Sequence, residues 1–99
     1  MSTALRREPP EEPEATELMD DRIVRLEVAT ETMSAYIGYL TNQIHSEQDQ
    51  PKPDQQKINA LKAEKSVVLK ERKTIRPDSD EVIAKAIYIY GPIMKALFA

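Results

Sequence analysis

The stretch MDDRIVRLEVATETMSAYIGYLTNQI, residues 19–44, decides the fold of this chain. Eight of its positions follow one another at spacings of 4, 3, 4, 3, 4, 3 and 4, and seven of the eight are apolar. These heptad positions are Met19, Ile23, Leu26, Thr30, Met33, Ile37, Leu40 and Ile44. Such a repeat is typical of a helix that packs lengthwise against another helix. The sequence therefore predicts a first helix over about 15–47, which Pro51 and Pro53 prevent from continuing.

A second helix is predicted over 54–75, with Asp54 as its N-cap. It ends before Pro77, because the residue that precedes a proline is pushed out of the helical region. A short loop between two long helices makes them antiparallel neighbours. Pairing Ile44 with Ile58 then brings three further pairs of apolar heptad positions together in the same register, namely Leu40 with Leu61, Met33 with Val68 and Leu26 with Ile75.

A third helix is predicted over 79–98, and its surface is apolar around most of its circumference. Asp78 and Glu81 have the spacing of a capping box at its start. Gly91-Pro92 is expected to bend or split it. The polar side is one narrow stripe, made of Glu81, Lys85, Tyr88, Pro92 and Lys95.

These elements predict an all-α fold, which is a long antiparallel helical hairpin plus a hydrophobic C-terminal helix. Only two glycines occur and no Asn-Gly or Asp-Gly turn is present, so β-hairpin signals are absent from the sequence. Residues 1–14 are rich in proline and glutamate and are expected to be a disordered tail. Residues 15–99 are expected to form a single helical domain.

The composition argues against catalysis and against a metal or cofactor site. There is no cysteine, and the one histidine, His45, lies beside Ser46 and Glu47. Consecutive residues on a helix point apart, so these three cannot form a nucleophile–base pair. One histidine cannot build a zinc site, and no glycine-rich phosphate-binding loop is present. We therefore expect a protein that is not an enzyme and holds no cofactor.

The hydropathy pattern argues against secretion or membrane insertion. The start of the chain has no apolar signal segment, and no run reaches the roughly 18 apolar residues of a membrane span. Residues 82–99 come closest to such an apolar run, but Lys85 and Lys95 interrupt them. The expected location is the cytoplasm.

Charge is distributed unevenly along the chain. Residues 1–31 hold four arginines and nine acids, whereas residues 52–76 hold eight bases and three acids. The basic side chains could bind nucleic acid through the second helix, at Lys62, Lys65, Lys70, Lys73 and Arg76. Alternatively, the hairpin sets them beside the acidic start of the first helix, at Glu17, Asp20, Asp21, Glu27 and Glu31. Intramolecular complementarity is the reading we prefer.

The third helix has more apolar surface than two partner helices can cover, which predicts a protein interface. The expected contact set is Ile83, Ile87, Tyr90, Met94 and Leu97. The expected partner is a second copy of the chain, another protein, or both, since homodimers are the commonest oligomers. A membrane-surface helix is a further alternative, although two lysines support it weakly.

The first helix carries a second apolar stripe, made of Val24, Val28, Ala35 and Tyr39. These are either single apolar residues of the kind found on any protein surface, or they form a contact with the third helix or with a second copy of the chain. Gly38, in mid-helix, favours a close helix crossing at that point. Together, these patterns predict a non-catalytic interaction module, such as an adaptor, a small chaperone or a regulator, that acts through helix–helix packing.

Overall fold

A computed structural model describes the backbone of residues 11–98 and the side chains of residues 21–97. Helix α1 spans Glu11–Gln48 and helix α2 spans Gln55–Thr74. The third element consists of an α-helical segment Asp80–Lys85, a π-helical turn Ala86–Tyr90 and an α-helical segment Gly91–Phe98; together they are called α3. The described residues form these helices and their connecting loops, which confirms the all-α fold.

Helix α1 begins four residues earlier than the predicted position near residue 15. Pro13 lies in its first turn, where a backbone N–H has no acceptor within the helix, so a proline is tolerated there. The expected disordered tail, residues 1–14, therefore overlaps the helix at residues 11–14. Its remaining part, residues 1–10, lies outside the described residues.

Helix α2 begins where the sequence predicts. The Asp54 carboxylate accepts hydrogen bonds from the backbone N–H groups of Gln56 and Lys57, at 3.1 and 3.2 Å. These bonds satisfy two donors that the first turn leaves without helical partners. The helix ends at Thr74, and Ile75 is already extended ahead of Arg76-Pro77.

The start of α3 differs from the predicted capping box. Ser79, and not Asp78, is the N-cap residue, and its side chain makes no capping hydrogen bond. Its hydroxyl instead accepts from the backbone N–H of Arg76 at 3.0 Å, which closes the loop between α2 and α3. The serine side chain is therefore used by the turn rather than by the helix.

The π-helical turn stands immediately before Gly91-Pro92. Proline has no N–H and its ring collides with the carbonyl four residues earlier, so a regular α-helix cannot run through Pro92 undisturbed. The N–H of Gly91 bonds to the carbonyl of Ala86, five residues back, which widens the helix at this point. The expected interruption is therefore a π-helical turn, and helical backbone continues on both sides of it.

The core lies where α1 is packed by α2 on one side and by α3 on another. Its buried members are Ala29, Met33, Tyr36, Leu40, Val68, Ile83, Ala86 and Tyr90. Ala29 and Tyr36 are buried although they lie outside the predicted heptad seam, and Tyr36 stacks on Tyr90 of α3. Ile44 and Ile58 are buried nearer the hairpin loop. Ile23 is a seam position, yet it is 47% exposed.

Gly38 does not mark a close helix crossing within the chain. A Cβ added to it would meet no atom within 4 Å. We predict that Gly38→Ala raises the free energy of unfolding by about 0.5–1 kcal/mol, since glycine in a helix interior costs that much relative to alanine. Urea denaturation followed by circular dichroism measures the change. Ala35→Gly, at an exposed position one turn away, is the control and should lower stability by a similar amount.

Candidate interaction surface

Helix α3 is held in one orientation by polar contacts with α2. Glu71 accepts a hydrogen bond from the Tyr90 hydroxyl at 2.7 Å through one carboxylate oxygen, and one from the Lys85 amine at 2.8 Å through the other. The Lys85 amine also lies 5.2 Å from the centre of the Tyr90 ring, within cation–π range. One carboxylate therefore fixes two residues that are five positions apart on α3, on either side of the start of the π-helical turn.

Aromatic stacking joins α3 to α1. The rings of Tyr90 and Tyr36 are stacked with centroids 4.8 Å apart, and Tyr36 stacks in turn on Tyr39 at 6.3 Å. The Tyr36 hydroxyl donates to Glu64 of α2 at 3.3 Å. Stacked tyrosine rings thus join α1 to α3, and the hydroxyls of Tyr36 and Tyr90 donate hydrogen bonds to carboxylates of α2.

Burial and the neighbouring carboxylates change the acidity of these groups. Burial, the largest cause, together with the Glu71 carboxylate, raises the pKa of Tyr90 to about 12. The pKa of Tyr36 is also raised, first by burial and then by Glu64. The hydrogen bond to Glu71 holds the pKa of the Lys85 amine above its ordinary value. All three shifts favour the protonated form in the folded protein.

A loss of stability at alkaline pH is therefore expected. Because folding raises the pKa of the Tyr90 phenol from 10.0 to about 12, its contribution is present in full below pH 10 and is lost as the pH rises toward 12. Urea midpoints measured across that range should fall more steeply for the natural chain than for Tyr90→Phe. Parallel curves for the two proteins would contradict this assignment.

The structure divides the predicted contact set between two environments. Ile83 and Tyr90 are buried in the chain's own core, and Ile87 and Met94 are partly buried against it. Leu97 is exposed. In this conformation, most of the set packs on the hairpin, and Leu97 alone is freely available to a partner.

A different apolar surface of α3 faces outward. We call it the outer strip, and it consists of Tyr88, Ile89, Ile93 and Leu97. Tyr88 is 70% exposed and Ile89 is 52% exposed. Ile89, Ile93 and Leu97 follow at intervals of four residues, which keeps them on one side of a helix. The spacing is visible in the sequence, but an apolar pattern on nearly every side of α3 does not show which side packs inward.

A second surface feature lies between α1 and α2 near the hairpin loop. It is a groove of about 370 Å³, here called the basic groove, lined by Thr41, Ile44, His45, Gln48, Lys62, Lys65, Ser66 and Leu69. Ile44 is buried, whereas Leu69 is exposed to solvent. The lining contains two lysines and no acidic residue, so the groove combines positive charge with apolar surface.

The predicted nucleic-acid face is only partly gathered at this groove. Lys62 and Lys65 line it, while Lys70, Lys73 and Arg76 are exposed farther along α2 and in the loop that follows. The ion pairs among residues 21–97 are Lys57 with Glu47, at 3.3 Å, and Lys85 with Glu71, at 2.8 Å. Among the side chains described, none of the five predicted basic residues is paired with Asp21, Glu27 or Glu31. The side chains of Glu17 and Asp20 lie outside the described residues.

The described part of the chain offers neither a metal-binding cluster nor a membrane-spanning helix. Residues 21–97 contain no group of three or more His, Asp or Glu side chains that could hold a metal ion. None of the described helices is long and apolar enough to cross a membrane. Comparison with protein-family models, curated proteins and solved structures gives no match.

Proposed function

We propose that this chain is a non-catalytic helical interaction module that binds another polypeptide through the outer strip of α3. The observation that supports the proposal is the apolar strip itself, which the hairpin leaves in water while it covers the opposite side of the same helix. Apolar side chains at i, i+4 and i+8 are the pattern by which one helix packs along another. Each methylene group that a partner covers contributes about 0.8 kcal/mol.

The outer strip favours a protein partner over a lipid surface. Tyrosine is enriched at protein interfaces, and Tyr88 is the most exposed member of the strip. A membrane-surface helix is usually rich in unpaired basic residues. Here Lys85 is paired with Glu71, so Lys95 is the unpaired basic residue among the described side chains of α3.

Photo-crosslinking in the cell of origin tests the proposal. A benzophenone amino acid placed at Tyr88 or Ile89 should give a discrete adduct, whereas the same group at Lys70, exposed on α2, should not. The double variant Ile93→Asp, Leu97→Asp should reduce the adduct about tenfold, the factor that goes with roughly 1.4 kcal/mol. The partner is identified by mass spectrometry.

The outcomes separate the alternatives. An adduct to a different protein, or to a second copy of this 11.3 kDa chain, supports the interaction module. Equal labelling at position 70, or none at 88 and 89, contradicts it. Flotation of the purified chain with vesicles of phosphatidylcholine and phosphatidylserine, abolished by the double variant, would assign the strip to a lipid surface instead.

Nucleic-acid binding is the second candidate, and the unpaired basic side chains along α2 favour it. Phosphate contacts made by Lys62, Lys65, Lys70 and Lys73 would give binding that weakens steeply with salt. Against it, no aromatic residue is interleaved among them for base stacking, and an exposed leucine stands in their midst. Fluorescence anisotropy with a labelled 20-base-pair duplex decides the matter. An absence of binding at low salt removes this candidate.

A further inference from the structure

Within the described residues 11–98, helix α1 extends at its N-terminal end past the loop between α2 and α3. Arg22 and Arg25 line the same small cavity as Pro77 and Asp80, which places the loop between α2 and α3 beside them. Helical backbone continues from there through eleven further residues, 11–21, which is roughly 16 Å of helix. In the sequence the heptad pattern continues back to Met19, and Ile23, four residues later, is half exposed.

The projecting segment has a strongly acidic sequence. Residues 11–21 read EEPEATELMDD, with six acids and no base. Leu18 and Met19 are its large apolar residues, and Ile23 follows four positions after Met19. A segment whose sequence is acidic and includes large apolar residues is complementary to a surface that is both basic and apolar.

The basic groove is such a surface. Lys62 and Lys65 supply the charge, and the exposed Leu69 and the floor at Ile44 supply the apolar contact. No acid lines the groove, and neither lysine is paired with another described side chain. An acidic helix would therefore meet attraction there without displacing an existing ion pair.

A chain cannot place its own acidic segment in its own groove. Residues 41–48, which form one wall of the groove, belong to the same continuous helix as residues 11–21. The two lie at least 20 residues apart, which is about 30 Å along a helix that cannot fold back on itself. The ligand must therefore come from another molecule.

We propose that the acidic segment, residues 11–21, of one copy binds the basic groove of a second copy, and reciprocally. Two rods lying antiparallel bring each acidic end beside the other's groove, which is a closed two-fold arrangement. This inference goes beyond the proposed function, because it uses a different surface from the outer strip.

A charge exchange tests the proposal. One variant carries Lys62→Glu with Lys65→Glu, and the other carries Glu14→Lys, Glu17→Lys, Asp20→Lys and Asp21→Lys, which changes the net charge of residues 11–21 from −6 to +2. Each should weaken the homodimer at least about tenfold, because each sets like charges against one another. Mixed in equal amounts, the two variants should recover a dimer, because both grooves then face a segment of opposite charge.

Sedimentation equilibrium of the full chain measures the mass at low salt and at about 0.5 M salt, where exposed charges are largely screened. Lys52→Glu with Lys70→Glu is the control. It changes the net charge by the same amount as the groove variant, at exposed positions outside the groove. Its dimer should match that of the natural chain. Circular dichroism of each variant establishes that the helices persist.

Three results would overturn the proposal. These are a natural chain that is monomeric at low salt, a dimer that both charge variants retain, and a mixture that stays monomeric. Crosslinking at position 89 distinguishes this failure from failure of the proposed function. An adduct that persists in the Lys62→Glu, Lys65→Glu chain leaves the outer strip intact as the interaction surface.

Discussion

Tyr90→Ala is expected to lower the free energy of unfolding by about 3–5 kcal/mol, the range for truncating a large buried aromatic side chain. Tyr90 is 1% exposed, stacks on Tyr36 and donates to Glu71. Its removal leaves a cavity between α1 and α3 and takes one partner from the Glu71 carboxylate. Because a domain of this size has only about 5–15 kcal/mol of stability in total, α3 should separate from the hairpin under mild denaturation.

Two further variants make this prediction specific. Tyr90→Phe keeps the ring and should lose only the hydrogen bond to a charged group, about 1.5–3 kcal/mol. Tyr88→Ala, two residues away on the exposed side, should stay within about 0.5 kcal/mol of the natural chain. Urea denaturation followed by circular dichroism measures all three. Equal losses for Tyr90→Ala and Tyr88→Ala would show that α3 is not oriented as described.

Local sequence signals predicted the helices and several of their ends. Asp54 caps the helix that follows it, and Pro51, Pro53 and Pro77 end the helices that precede them. Each of these residues acts within a few positions of itself, so its effect can be anticipated without knowing the tertiary structure. The start of α3 was predicted less well, because the Ser79 hydroxyl is used by the backbone of Arg76 across the loop. Such competition between a turn and a helix for one side chain is not encoded in spacing alone.

The heptad pattern predicted the contact between α1 and α2 but not the complete core. A heptad describes a helix packed against one partner, whereas α1 is packed against two. Tyr36 lies outside the seam and is buried where it stacks on Tyr90 of α3. The seam also continues past the end of α2, which leaves Ile23 half exposed.

The candidate site was predicted as an excess of apolar surface on the third helix, without its orientation. Apolar residues occur on nearly every side of α3, so periodicity does not choose which side packs inward. In the structure, one carboxylate on another helix, Glu71, accepts hydrogen bonds from Lys85 and Tyr90 and so stabilises the observed orientation. A long-range polar contact of this kind is not visible in a single sequence.

The second large effect concerns two positions of the same heptad seam. Leu40 is 2% exposed and belongs to the core cluster, so Leu40→Ala should cost about 2–5 kcal/mol. Ile23 is 47% exposed because α2 ends before it, so Ile23→Ala should cost less than about 1 kcal/mol.

The two variants are compared by urea denaturation at a concentration where the chain is monomeric, since a second copy that covers Ile23 would raise its cost. If Ile23→Ala lowers the free energy of unfolding of the monomer as much as Leu40→Ala does, then the heptad positions of α1 are packed as far as Ile23, contrary to the structure. A large loss at Ile23 that appears only at high concentration would instead locate a partner on the projecting part of α1, because burial there would then depend on association.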